Sequence, residues 1–441
     1  MKKTQNISFW FLIIALSMLA LSVIFGSLAA HSYTSPGFWK HTLGFIQLRP
    51  LHVTSALLWI LMAAVGCIQL ACNNVLGIKL SKVNIRIQLM LWIVSIIGIF
   101  YSYFTGTFGG REYWEFPPMF ALPLALSWLL FLFDFIRSAF KIKDWPVYLW
   151  MWMTGLFFFL FTFTESYLWE FTYFREQFVK DMTIQWKASG SMVGSWNQLI
   201  YGLAFFLMER ISGDTKTTRS KIAFTMYFLG LFNLMFNWSH HIYTLPTEQY
   251  IRYIGYTVSM TEWILFIRII YNWKNTLTES QKFNHLYTYR FLLAADIWVF
   301  FNLGLALLLS IPAINIYTHG THITVAHAMG TTIGINSMIL LAGCFEFLPI
   351  KPNAKFLKWL TILFWTTQIS LFLFWLNLLV VGIKKGFWQQ TINQVPFQQM
   401  MYELHNWFRL FNYLGGILMT GLGVIAIMMI SKFVQSFSHT K

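Results

Sequence analysis

The sequence predicts an all-α integral membrane protein, a bundle of twelve transmembrane helices. Three observations lead there. Hydrophobic residues make up 57% of the chain and charged residues only 11%. The apolar residues fall in runs long enough to cross about 30 Å of hydrocarbon at about 1.5 Å per residue. Basic residues alternate between rich and poor connecting loops. A chain this apolar cannot hide its surface in a soluble core and presents it to lipid.

The expected spans are 8–30, 50–73, 87–106, 117–138, 146–170, 184–209, 221–244, 250–273, 288–312, 321–346, 358–383 and 406–431. The first is too long for a signal-peptide core and lacks a small-residue cleavage site, so it counts as a mature span. The second opens on Arg49-Pro50-Leu51-His52, and the third and fourth bracket the charged run 109–117. The fifth is aromatic, the sixth holds Lys187 and Ser189, and the seventh ends on His240-His241. Glu262 and Arg268 fall in the eighth. The ninth, eleventh and twelfth are apolar throughout most of their length, whereas the tenth grows out of the run Thr318-His319-Gly320-Thr321-His322 and contains His327-Ala328-Met329. Residues 1–441 thus read as one twelve-helix membrane domain, with no soluble domain before, between or after the helices.

Of the 31 Lys and Arg residues, twenty fall on one side and nine on the other, while Lys187 and Arg268 lie within spans. That bias places both termini in the cytoplasm. It also accounts for the net charge of +15, which is spread over loops rather than gathered in a patch, and so argues against a nucleic-acid partner. Cys67, Cys72 and Cys344 lack metal-ligand spacing and read as core residues.

Ionisable residues inside a membrane are expensive and mark function. His52 reads either as a haem-iron ligand, with Arg49 meeting a haem propionate, or as a hydrogen-bonded interface histidine. Adjacent on a helix, His240 and His241 stand about 100° apart, so both reach one metal only from a curved or irregular helix end; the plain alternative is a polar cap. Glu262 would supply a ligand, a proton donor or an electrostatic partner.

His327 and Met329 are about 200° apart around their helix and face opposite sides, which lets one helix ligate two haems. A thioether paired with an imidazole raises a haem potential relative to two imidazoles. Packing is the ordinary role of a methionine in a chain with 20 of them. His319 and His322 read as propionate partners or helix caps. In the loop after the third span, Glu112 and Glu115 offer oxygens to a hard cation such as calcium, and Arg111 offers a partner to propionates; the default is a solvated loop.

Together these residues resemble the haem-copper oxidase superfamily, and within it the catalytic large subunit of bacterial nitric oxide reductases. The likeness spans the chain: Arg49-x-x-His52, Gly110-Arg111-Glu112-Tyr113, His240-His241 followed by Tyr243, Glu262, and the Thr318-His319-Gly320-Thr321 run leading to Ala326-His327. It implies a low-spin haem b held by His52, a high-spin haem b held by His327, and a non-haem iron held partly by His240 and His241. Glu112 would be a calcium ligand, and Glu262 a carboxylate supporting proton delivery near the binuclear centre. The resemblance also implies a bacterial-type inner membrane and the reduction of two nitric oxide molecules to nitrous oxide and water. Electrons would arrive from a donor subunit or soluble cytochrome, because no Cys-x-x-Cys-His occurs in this chain.

Two positions depart from that family. Aligning Gly194 and Trp196 on its helix-six motif His-x-Trp-Val-Glu-Gly-x-Trp puts Ser189 at the histidine and Val193 at the glutamate. Serine is a poor ligand for Fe(II), so the second metal is expected to be weak, different or absent. Lys187, two residues earlier, reads as snorkelling outward. Met329 stands where the family has the second haem histidine of a His-x-His pair. Position 193 also lacks the tyrosine of many oxygen-reducing relatives, which disfavours oxygen reduction by that route. Three readings follow: a divergent nitric-oxide-reductase-like haem oxidoreductase, a non-catalytic haem-binding relative for electron transfer or gas sensing, and an unrelated membrane transporter.

Overall fold

The computed structural model describes residues 3–37, 39–261, 263–391 and 395–438. Among these the regular structure is helical, and one isolated β-bridge joins Arg111 to Trp114. The long helices are α1 (Lys3–His31), α2 (Phe45–Asn74), α3 (Lys82–Phe104), α4 (Ala121–Ala139), α5 (Val147–Glu165), α6 (Phe178–Ser212) and α7 (Lys221–Phe236). They are followed by α8 (Gln249–Ser259), α9 (Trp263–Thr276), α10 (Leu286–Ser310), α11 (His322–Met329 and its continuation), α12 (Ala354–Gln390) and α13 (His405–Ser438). Helix α11 passes through a π-helical stretch, Gly330–Ser337, before regaining α geometry over Met338–Glu346.

Among the described residues, ten helical stretches are long and apolar enough to cross a membrane, and the chain is a multi-pass membrane protein. The two remaining expected spans differ for physical reasons. Helix α6 forms over the expected region, but Lys180, Asp181, Gln185 and Lys187 dilute the hydropathy of its first half. The span expected at 250–273 is broken into α8 and α9, and Glu262 in the break lies outside the described residues.

Local chemistry sets several helix ends. Ser81, Ser220 and Asn353 each accept a hydrogen bond from a backbone N–H of the helix they precede. Gly213, with φ 72°, closes α6 in the left-handed conformation that glycine adopts without strain. Helix α2 is the most enclosed, with 94% of its apolar window buried, so it forms the centre against which α1, α3 and α11 pack. Small residues bring the helices that matter to the site into close approach. A Cβ at Gly194 of α6 would lie 2.8 Å from Leu234 of α7, and one at Gly382 of α12 would lie 2.4 Å from the Ile323 amide of α11.

Candidate haem and metal site

His52 sits in the first turns of α2 with its ring against α1. Its Nδ1 lies 2.8 Å from the Ser22 carbonyl, which can only accept, so Nδ1 carries the proton. The lone pair is thereby left on Nε2, the arrangement that prepares an imidazole to ligate a metal. Gly26 makes this possible: a Cβ there would fall 2.6 Å from the same Nδ1.

His327 and Met329 occupy the last α-helical turn of α11 before the π stretch, a helix irregularity that often accompanies function. Asn302 of α10 fastens that turn. Its Nδ2 donates to the His327 carbonyl at 3.1 Å and to Thr331 Oγ1 at 2.7 Å, and its side chain lies so close to Gly330 that a Cβ would come within 2.2 Å of Oδ1. The His327 Nδ1 is buried without a hydrogen-bond partner, an orphaned polar atom that calls for one. Met329 is partly buried on the core.

The helix α7 loses α geometry at Asn237 and continues as a 3₁₀ stretch, Asn237–Ile242. This is the irregular end that adjacent ligands need. The rings of His240 and His241 come within 4.2 Å of each other, and the Nδ1 of His240 lies 3.1 Å from Asn237 Oδ1, which leaves its Nε2 free. Trp186 of α6 stacks on His241 at 5.9 Å, and a Cβ at Gly190 would sit 3.3 Å from the His241 ring. Ser189 lies between these two residues in sequence and is buried.

His240 and His241 both lie within electrostatic range of His319 and His327. The Tyr243 hydroxyl donates to the Ser310 carbonyl at 3.1 Å, tying this end to α10. Among the described residues no three His, Cys, Asp or Glu side chains group to hold a metal ion. Lys187 does not reach toward solvent as the sequence suggested: it pairs with Glu165 at the end of α5. His322, expected as a cap or propionate partner, packs instead between Tyr33 at 5.7 Å and Phe408 at 5.5 Å, while Thr321 supplies the cap of α11.

At the start of α2, Arg49 grips two carboxylates, Glu112 at 2.5 Å and Glu115 at 2.9 Å. Arg111 pairs with Asp181 of α6 at 2.8 Å and lies over Trp169. The loop that presents these groups is a tight turn in which the amides of Gly109 and Gly110 both donate to the Glu115 carbonyl at 3.1 Å. Burial pushes the Tyr113 hydroxyl up to about 12, so it keeps its proton at neutral pH.

Burial also raises the Glu115 carboxyl above its ordinary range, against the lowering effects of its own backbone hydrogen bond and of Arg49. A raised folded-state value means stability that is present at low pH and lost as pH rises through it. Glu115→Gln is therefore expected to flatten the pH dependence of the melting temperature just above the ordinary carboxylate range; an unchanged slope would show that Arg49 offsets the burial.

The family model of cytochrome c and quinol oxidase polypeptide I matches residues 6–433. The chain belongs to that family. A nitric oxide reductase chain of Stutzerimonas stutzeri is 21% identical over 426 residues, covering 88% of this chain and 86% of that one. A solved haem-copper terminal oxidase dimer superposes with a TM-score of 0.74 at 15% identity, over 99% of this chain and 84% of that chain, a likeness of fold. Family membership implies haem cofactors, a lipid setting and an electron-donor partner. It also removes the reading as an unrelated transporter. Residues that sequence reasoning missed are the supports: Ser22, Gly26, Asn237 and Asn302 hold the histidines without being histidines. An amide in the middle of an apolar span was the available signal for Asn302.

Proposed function

We propose that this chain is a membrane haem oxidoreductase of the nitric oxide reductase type whose second-metal position has diverged. The close pairing of the His240 and His241 rings at an irregular helix end, with His319 and His327 within electrostatic range, carries this reading. His52 and Met329 would hold one haem b and His327 the other. Haem, when bound, supplies electron transfer and a coordination position for a diatomic gas.

The chain's own residues do the positioning. Ser22 fixes the His52 tautomer, and Asn302 holds the turn that bears His327. Trp186 covers one face of His241 and limits water there. His240 and His241 are two donors of an incomplete set, and Ser189 and Val193 add no strong ligand, so no step is assigned to a second metal. Glu115 Oε2 is buried without a partner, an oxygen that calcium would take alongside Glu112, while Arg49 and Arg111 would face the propionates. Glu262 would support proton delivery. The name of the Stutzerimonas stutzeri relative supports nitric oxide as substrate. A bacterial inner membrane with cytoplasmic termini, one membrane domain, and a cytochrome or donor subunit complete the reading.

Anaerobic mixing of reduced protein with nitric oxide tests it. One nitrous oxide for every two nitric oxide molecules is expected. A stable nitrosyl without nitrous oxide overturns it in favour of gas binding or electron transfer, the second reading that Ser189 and Val193 support. Met329→His is expected to lower the potential of the haem at His52 in a redox titration, since a thioether ligand raises it; an unmoved potential means that Met329 only packs.

A further inference from the structure

Two thiols inside the bundle take no part in the chemistry described above. Cys67 of α2 and Cys344 of α11 are both fully buried, and their side chains interact directly where the two helices pack. The approach is close. A Cβ on Gly343, the residue before Cys344, would lie 2.9 Å from the Cys67 Sγ and 3.0 Å from the Leu203 side chain of α6, so glycine at 343 lets the Cys67 sulfur rest against the α11 backbone. Cys72 stands five residues further along α2, about 140° around its axis, and so points away from the pair.

The pair lies near one end of the bundle. Cys344 stands two residues before Glu346, the last residue of α11, where the Glu346 carboxylate meets His285 Nδ1 at 3.1 Å and Arg210 Nε at 3.5 Å. The Arg210 side chain is 44% exposed, so solvent touches the group that pairs with Glu346, itself less than one helical turn from Cys344. A small uncharged molecule has a short distance to cover from there.

Two thiols in contact offer two chemistries. As thiolates they would hold a soft metal ion; joined, they form a disulfide. Burial decides between them. Two thiolates bring negative charge into a site with 0% exposure, whereas a disulfide is neutral. We propose that Cys67 and Cys344 form an oxidative modification site that closes to a disulfide in the presence of a peroxide. The bond ties α2, the helix of His52, to α11, the helix of His327. One thiol attacks the peroxide: the O–O bond breaks and an S–O bond forms, giving a sulfenic acid and one water. The second thiol displaces the sulfenic hydroxyl as another water, so the S–O bond breaks and the S–S bond forms. Each sulfur is oxidised by one electron, each peroxide oxygen is reduced by one, and the thiol protons end in the waters.

Thiol counting in the full-length protein tests this with a readout independent of haem and of gas turnover. The protein is treated with hydrogen peroxide, the excess is removed with catalase, and free thiols are labelled by denaturation in a maleimide and counted by mass spectrometry. Two of the three cysteines are expected to escape labelling, with labelling restored by dithiothreitol and the Cys67–Cys344 bond present in the peptide map. Cys72→Ser is expected to leave that loss unchanged, and Cys67→Ala to leave Cys344 labelled. The wild-type peptide map decides the question even where a buried variant fails to fold. Labelling of all three cysteines after peroxide, or a sulfinic acid at either residue without the cross-link, overturns the proposal.

Discussion

Replacing His327 by alanine is expected to lower the haem content of the purified protein by about half while leaving the reduced spectrum of the haem at His52 in place. The expectation follows from the geometry of α11. His327 carries a buried Nδ1 with no hydrogen-bond partner, and the Asn302 side chain holds its carbonyl, so this ring nitrogen remains for an external group. Truncation removes the ligand and leaves the Asn302 clamp, which bonds only to backbone and to Thr331. Helix packing should survive, and a loss of haem would then report ligation. Unchanged haem content with an unchanged spectrum would refute the assignment. Asn302→Leu offers a graded companion: the ring stays, its turn loosens, and the spectrum of that haem should broaden or shift before its content falls.

The second large effect is expected at Gly110. A Cβ there would fall 1.8 Å from the Trp114 carbonyl and 2.6 Å from that of Phe116, both backbone atoms that no side-chain rotation can move. Gly110→Ala must therefore open the turn that joins Arg111 to Trp114. The Glu112 and Glu115 carboxylates would then be drawn away from Arg49. The cost is on the order of 3 kcal/mol, the upper part of the usual range for overpacking. Gly304→Ala in α10 is the control, because nothing lies within 4 Å of its added Cβ and alanine suits a helix interior better than glycine. A melting temperature lowered by Gly110→Ala and held or raised by Gly304→Ala is the expected pair of results. Equal melting temperatures for the two variants would mean that the loop tolerates a wider turn than its geometry allows.

The all-helical membrane architecture and the approximate positions of ten spans were legible because lipid imposes one rule on every residue facing it, and long apolar runs record that rule directly. The break between α8 and α9 was not legible, since Gln249–Ser259 and Trp263–Thr276 each carry apolar stripes that read as one run when joined. At the site, the histidines were visible because imidazole is rare and costly in a membrane. The 3₁₀ turn that brings His240 and His241 together was foreseen only as a requirement, because backbone geometry depends on the Asn237 side chain and on the contact of Gly190 with this segment. The partners of Arg49 and Arg111 were hidden for another reason. Sequence spacing says nothing about which of several loop carboxylates a long side chain will reach, and the choice of Glu112, Glu115 and Asp181 is made by the tertiary fold.

Trp186 and Gly190 of α6 both meet His241, and Ser189 between them in sequence is buried. Among the described residues no three His, Cys, Asp or Glu side chains group around this histidine pair.

The most direct test of the central claim is a count of haem and iron per chain in the protein purified from membranes, together with oxidised and reduced visible spectra. The account predicts two haems b per chain, one low-spin and one high-spin, at His52 and His327. A colourless protein, or one that keeps a single haem unaffected by His327→Ala, would contradict it.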